Sequence, residues 1–207
     1  NENYFQPVSR EKFEQFIVLE SDPQNALRVN SEYYRGICAL YLFHADAEYL
    51  LETFVREHPD SPWKQHAYFE LATFNYKKKS YKKALEWFQE VDESTLSIKE
   101  RVEFRYKRGH CYFETGDMKA ARADFLEAKQ EESDYKQAAT YYYSHIAYEQ
   151  NDLQTALEGF KQLENDPNFK PIVPYYISQI YYKQKKYDEL LAYAPAVLDS
   201  ANHSNTK

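Results

Sequence analysis

The stretch Lys83-Ala84-Leu85-Glu86-Trp87-Phe88 recurs along this chain at a nearly fixed spacing. It returns as residues 120–125 and 155–160, each time with phenylalanine four positions after an alanine. Counting a further alanine at position 47, the alanines stand 37, 37 and 35 residues apart. Apolar residues at i, i+4 and i+7 form one face of an α-helix, and a period of this length is typical of arrays of helical hairpins. The sequence therefore predicts a repeated amphipathic helix, which we call helix B.

A second amphipathic helix, helix A, is predicted before each helix B. It carries a small residue about twelve positions upstream of the helix-B alanine. Small residues allow two helix axes to come close together, so we expect these positions to face the alanines of helix B. The small residues of helix A are Gly36, Ala72, Gly109, Ser144 and Ser178.

This pattern resembles the tetratricopeptide repeat (TPR), in which helix A carries a small residue with a tyrosine nearby and helix B carries alanine and phenylalanine. Residues 102–133 match most fully, although Arg105 stands where a large apolar residue is usual and Leu190 replaces the helix-B alanine of the last unit. The resemblance implies an all-α fold, a right-handed α-solenoid of about five helix-turn-helix units. The matching residues in 102–133 are Gly109, Tyr112, Gly116, Ala121, Phe125 and Ala128.

We expect one continuous array over residues 1–207, forming part of a longer repeat protein. Residues 1–23 are predicted to be a lone helix B of a truncated repeat, and residues 199–207 a polar tail. Insertions should fall only between units, where a solenoid tolerates them. The five predicted repeats are 29–61, 65–98, 102–135, 137–169 and 171–198.

Composition and motifs exclude several classes of function. The net charge of −7 disfavours a general nucleic-acid or anionic-membrane surface, and no apolar run is long enough for direct membrane insertion. Phosphate-binding loops, dinucleotide fingerprints and metalloprotease helices are missing from the sequence, so we expect no enzyme and no cofactor. Cys38 and Cys111 occupy positions that are apolar in the other repeats, and core packing is their expected role.

The most informative positions on helix A lie three residues before and four residues after the small residue. Nine of these ten positions are aromatic, in a chain that is 17% aromatic. The TPR resemblance places them along the concave surface, which implies two aromatic ladders beside a groove. Between the ladders lie the equivalent residues His110 and His145. The predicted groove comprises Tyr33, Phe69, Tyr76, Tyr106, His110, Phe113, Tyr141, His145, Tyr148, Tyr175 and Tyr182.

The sequence leaves two interpretations of these ladders open. The rings could simply pack on each other between adjacent A helices, or their tyrosine edges could remain accessible and bind a partner. His110 and His145 suit hydrogen bonding in the groove better than metal ligation, because no cysteine or paired carboxylate accompanies them. The lysine and asparagine set with which chaperone-binding TPR proteins hold a C-terminal carboxylate is missing, so a co-chaperone role is disfavoured.

The function predicted from these residues is a non-enzymatic scaffold that binds a protein or peptide partner. Self-association remains an alternative, and a nucleic-acid binder that uses the basic residues within 77–108 is a weaker one. The run from Ala47 to Pro62, followed by residues 67–72, is similar to bacterial envelope TPR proteins of the outer-membrane assembly and Tol-Pal coordinator type. This similarity favours a periplasmic or outer-membrane-associated location over a cytoplasmic one.

Overall fold

The computed structural model describes residues 5–204, and every regular secondary-structure element in them is helical. The predicted all-α fold is therefore confirmed. None of these helices combines the length and hydrophobicity that crossing a bilayer requires. The α-helices are α1 Phe5–Leu19, α2 Ala26–Tyr41, α3 Ala47–Glu57, α4 Lys64–Lys77, α5 Tyr81–Glu90, α6 Ile98–Thr115, α7 Met118–Ala128, α8 Lys136–Glu149, α9 Leu153–Gln162, α10 Val173–Lys183 and α11 Tyr187–Ser204, with a 3-10 turn at Glu93–Thr95.

The helices form two compact units, Asn1–Ser97 (unit 1) and Ile98–Lys207 (unit 2). In unit 1, α1 packs on α2, and the pairs α2/α3 and α4/α5 are helical hairpins. In unit 2, the hairpins are α6/α7, α8/α9 and α10/α11. Helix A of each repeat is thus α2, α4, α6, α8 or α10, and α11 continues beyond residue 198 to Ser204.

The turn from helix A to helix B has the same backbone geometry in all five hairpins. Seven residues after each small residue of helix A, one residue adopts the left-handed conformation. Glycine and asparagine adopt it most readily, and Gly116 and Asn151 occupy two of the five turns. An aspartate follows each of them and caps the next helix, with the Asp117 carboxylate 3.0 Å from the Ala120 amide nitrogen. The left-handed residues are Phe43, Lys79, Gly116, Asn151 and Lys185, with φ values of 53°, 59°, 90°, 60° and 57°.

The helix-B alanines lie in the core, as their spacing predicts. Ala47, Ala84, Ala121 and Ala156 are all fully buried. The cysteines are buried free thiols, and the prediction that they pack in the core is also confirmed.

The prediction that the small residues of helix A face these alanines is wrong. A Cβ atom on Gly36 would lie 2.6 Å from Leu51, four residues beyond Ala47. Ser144 faces Gly159, three residues beyond Ala156, and a Cβ atom on that glycine would collide with the serine side chain. The close approach therefore occurs about one helical turn further along helix B. Helix periodicity identifies the buried stripe on each helix, but the relative shift of two packed helices depends on how their side chains interlock.

Overpacking at Ala121 tests this core. Replacing Ala121 with leucine should lower the free energy of unfolding by about 1 to 3 kcal/mol, because the fully buried alanine packs within the cluster that contains Phe125 and Ala128. Replacing Glu127 with alanine should change it by about 0.5 kcal/mol or less, since that half-exposed side chain makes a surface ion pair with Arg105. Urea denaturation of both variants measures the difference, and equal losses would contradict the assigned helix face.

Candidate partner-binding surface

Four of the five rings in the ladder three residues before the small residue are used in packing. Tyr33 and Phe69 are 6% and 5% exposed, and Tyr106 and Tyr141 are half-buried. Each of the three tyrosines stacks on an aromatic residue near the start of the next helix A, which gives these rings a packing role. The stacked pairs are Tyr33 with Trp63, Tyr106 with Tyr135 and Tyr141 with Phe169, with centroids 5.0, 4.9 and 5.1 Å apart.

A further stacking position was missed by the sequence analysis. Two residues before the small position, a tyrosine lies flat on a phenylalanine of the preceding helix B, as Tyr176 does on Phe160 at 4.8 Å. The sequence could have indicated this position, because it carries a tyrosine in three of the five A helices, with Glu70 and Lys107 in the other two. The other stacked pairs are Tyr142 with Phe125 at 5.1 Å and Tyr34 with Phe13 at 5.7 Å.

The ladder four residues after the small residue becomes more exposed along unit 2. Phe113 and Tyr148 are half-buried and meet Tyr142 and Tyr176 edge-on, at 5.1 and 5.4 Å. Tyr182 is 61% exposed. In unit 1 the equivalent Tyr76 is half-buried.

Tyr175 belongs to the first ladder by sequence but differs from its equivalents. It is 57% exposed, and its ring contacts only the neighbouring Tyr176 among the aromatic pairs of the described residues. The opposite side of α10 buries Ile177 and Ile180 completely. This helix therefore holds two tyrosines at the surface on a rigid, well-packed support.

The two histidines lie among these rings. His110 Nε2 is 3.1 Å from the Tyr142 hydroxyl and 3.8 Å from Glu114. Burial lowers the pKa of His110, and the Glu114 carboxylate partly offsets that effect. Burial likewise lowers the pKa of His145, with Glu149 opposing it. Both imidazoles are consequently neutral at pH 7 and can donate or accept hydrogen bonds.

The surroundings of His145 are almost entirely aromatic. Its ring contacts Phe113, Tyr141 and Tyr176, with centroids 5.9, 6.0 and 5.6 Å away. Its Nδ1 atom is buried and has no hydrogen-bond partner within the described part of the chain. No group of three potential metal ligands occurs among the described residues.

Helices α6, α8 and α10 thus present a continuous aromatic surface within unit 2, which we call the A-face. Charged groups border it: Glu114 and Glu149 are exposed, and Lys183 Nζ lies 3.9 Å from the centre of the Tyr148 ring. Rings with polar edges and flanking charges favour binding of a protein segment over binding of a small molecule in a closed cavity. The A-face comprises His110, Phe113, His145, Tyr148, Tyr175 and Tyr182.

Five of the ten basic residues within 77–108 are paired with carboxylates inside their own units. Lys78 and Lys83 donate to Glu48 at 3.0 and 2.9 Å in unit 1. In unit 2, Arg108 pairs with both oxygens of Asp124, Arg105 pairs with Glu127, and Lys107 pairs with Glu103. Cations held by carboxylates contribute little to binding phosphates, so this geometry disfavours the nucleic-acid alternative.

Comparisons with known proteins agree with this architecture. Residues 43–98 match the family model for the tetratricopeptide repeat. The solved structure of apo RapI aligns with a TM-score of 0.61 at 15% identity, covering 100% of this chain and 63% of RapI. The fold is a TPR-like fold.

Two further solved structures share this TPR-like fold. BtubC (BKLC) from P. vanneervenii aligns with a TM-score of 0.59 at 12% identity, covering 99% of this chain and 91% of BtubC. The TPR-like repeats of a putative kinesin light chain from Podosopora anserina align with a TM-score of 0.57 at 14% identity, covering 91% of this chain and 100% of that one. A search of curated proteins gave no match.

Proposed function

We propose that the protein is a non-enzymatic scaffold that binds an extended segment of a partner protein along the A-face of unit 2. The observation that carries the proposal is the exposure of Tyr175 and Tyr182, 57% and 61%, on a helix whose other side is fully buried. Tyrosine offers a large apolar area and a hydroxyl at a small cost in side-chain entropy. Such residues stabilise an interface strongly once a partner excludes water from them.

The rest of the A-face supports this assignment. Phe113 and Tyr148 provide partly exposed rings, and the imidazoles of His110 and His145 pack among the aromatic rings that support them. Tyr106 and Tyr141, whose rings stack on other aromatic residues, mainly support this surface. The predicted groove is thereby divided into supporting rings and contacting rings.

Site-specific photo-crosslinking tests the proposal. A benzoylphenylalanine placed at position 182 of the full chain should crosslink to a discrete partner segment in extracts of the source cells. The same group at Tyr49, which is 64% exposed on α3 of unit 1, is the matched control. A synthetic peptide of the crosslinked segment should bind the double variant Tyr148→Ala/Tyr182→Ala at least about ten-fold more weakly than wild type, a loss of about 1.4 kcal/mol or more.

Stability measurements complete the test. Because these two rings are partly or mostly exposed, the double variant should remain folded, with unfolding measured by urea. An unchanged peptide affinity in the folded variant would contradict the proposal. Crosslinking to a second copy of this chain would instead favour self-association. Crosslinking to nucleic acid would favour the nucleic-acid alternative.

We also propose a periplasmic or outer-membrane-associated location, with the cytoplasm as the alternative. Its support is the similarity of residues 45–128 to bacterial envelope TPR proteins, above all the Pro-Asp-Ser-Pro sequence at 59–62. Cell fractionation of the source organism, followed by immunoblotting, distinguishes the two compartments.

A further inference from the structure

We infer that unit 1 carries a second docking site, a cleft between α2 and α4 that receives an apolar side chain flanked by carboxylates from an acidic protein segment. The cleft lies outside the A-face of unit 2, and its assignment does not depend on that surface. Its lining residues are Leu40, Tyr41, Phe43, Glu70, Thr73, Phe74 and Lys77.

The first observation is the backbone of Phe43. It adopts φ of 53°, at the turn position where the other hairpins carry Gly116, Asn151 or a lysine. The left-handed conformation is unfavourable for a bulky side chain, because its Cβ crowds the backbone. Strained residues that persist in a fold tend to mark functional positions.

The second observation is that this strained side chain is not buried. Phe43 is 61% exposed and Tyr41 is 50% exposed, while Leu40 and Phe74 beneath them are 4% and 6% exposed. Phe43 contacts Phe74 with centroids 5.6 Å apart, which holds the ring at the edge of the cleft. Packing therefore uses only part of the Phe43 ring, and the remainder faces solvent as an apolar wall.

The third observation concerns charge. The Lys77 ammonium lies 5.7 Å from the centre of the Tyr41 ring, at the mouth of the cleft, and Lys79 and Lys82 are exposed nearby in sequence. These three lysines form no ion pair among the described residues, whereas Lys78 and Lys83 are held by Glu48. Part of the sequence's basic run is thus left for a partner.

These features together define the occupant. Aromatic walls accept an apolar side chain, and Lys77, which lines the cleft and has no ion pair among the described residues, favours a carboxylate beside it. An acidic segment with an exposed Leu, Ile or Phe therefore matches the apolar walls and the lysine of the cleft.

Selection of random peptides displayed on phage, with the full chain as bait, tests the inference. Wild type should enrich peptides that place Leu, Ile or Phe next to Asp or Glu. Replacing Phe43 with asparagine should weaken binding of the enriched peptide at least about ten-fold. The same variant should melt at an equal or higher temperature, because asparagine tolerates the left-handed conformation better.

The controls separate binding from folding. Lys185→Asn changes the equivalent turn of the last hairpin, in unit 2, and should leave peptide affinity unchanged. Lys77→Glu should reverse the selection towards peptides with Lys or Arg. The inference is overturned if Phe43→Asn binds as wild type does, if it lowers the melting temperature together with binding, or if no acidic peptides are enriched.

Two other outcomes identify a different site or ligand. Enriched peptides that lose binding in Tyr148→Ala/Tyr182→Ala but not in Phe43→Asn would place them on the A-face, which would support the proposed function and overturn this inference. A single-stranded oligonucleotide that displaces the peptide from wild type and fails to bind Phe43→Asn would show a nucleic-acid site instead.

Discussion

Replacing Phe160 with alanine is expected to lower the free energy of unfolding by about 3 to 5 kcal/mol. Phe160 is fully buried. The Tyr176 ring lies nearly parallel to it at 4.8 Å, and Tyr141 approaches at 6.1 Å. Truncation would open a cavity beneath both tyrosines, so the packing between α8, α9 and α10 would be lost together with the phenylalanine.

Two controls isolate the stacking contribution. Glu158, two residues before Phe160 on the exposed side of α9, accepts a hydrogen bond from Gln154, and Glu158→Ala should change stability by about 0.5 kcal/mol or less. In a double-mutant cycle, Phe160→Ala and Tyr176→Ala should cost less together than the sum of their separate losses. Additive losses in urea denaturation would show that the two rings do not stabilise each other.

The sequence predicted the helices and their buried stripes because those features are local. The alanine and phenylalanine of helix B fall on one face at helical spacing, and that face is indeed buried at Ala156 and Phe160. The order of helices along the chain also follows directly from where the two patterns alternate. For such features, residues within about two turns of each other contain the necessary information.

The roles of the individual tyrosines could not be predicted in the same way. Tyr141 and Tyr182 both belong to aromatic ladders by sequence, yet Tyr141 stacks on Phe169 while Tyr182 is 61% exposed. What distinguishes them is the neighbour supplied by another repeat, which periodicity within one helix does not specify. The stacking of Tyr142 and Tyr176 on the preceding helix B was missed for the same reason.

The two proposed binding sites also depend on contacts that neighbouring repeats provide. A surface that binds a partner must expose apolar rings without losing their support. In unit 2, the half-buried Tyr141 and Tyr176 stack on phenylalanines, while Tyr175 and Tyr182 remain exposed. In unit 1, Tyr33 and Phe69, which are equivalent to Tyr175, are buried, and the exposed rings of the proposed cleft are Tyr41 and Phe43. The two proposed sites therefore use different positions of the same repeat.

The acid sensitivity of unit 1 should depend on Glu48. Its carboxylate accepts hydrogen bonds from Asn75, Lys78 and Lys83 at 2.8, 3.0 and 2.9 Å. Burial raises the pKa of Glu48, but these three donors lower it more, from 4.5 to about 2. Glu48 lies on α3, whereas its donors lie on α4, on α5 and in the turn between them. The carboxylate therefore joins the α2/α3 hairpin to the α4/α5 hairpin.

Glu48→Gln should lower the free energy of unfolding at pH 7 by about 2 kcal/mol, after allowance for the partial exposure of both lysines. Because the folded pKa is depressed, the carboxylate stabilises the fold fully above pH 4.5, and this contribution is lost as the pH falls towards 2. The difference between wild type and Glu48→Gln should therefore be largest at pH 7 and shrink steadily below pH 4.5. Urea denaturation at a series of pH values measures it. Glu52→Gln is the control, since among the described residues Glu52 pairs with Lys83 alone, at 3.2 Å. A difference that stays constant from pH 7 to pH 2.5 would mean that Glu48 acts through its shape and hydrogen bonds, and that its charge does not stabilise the junction of the two hairpins.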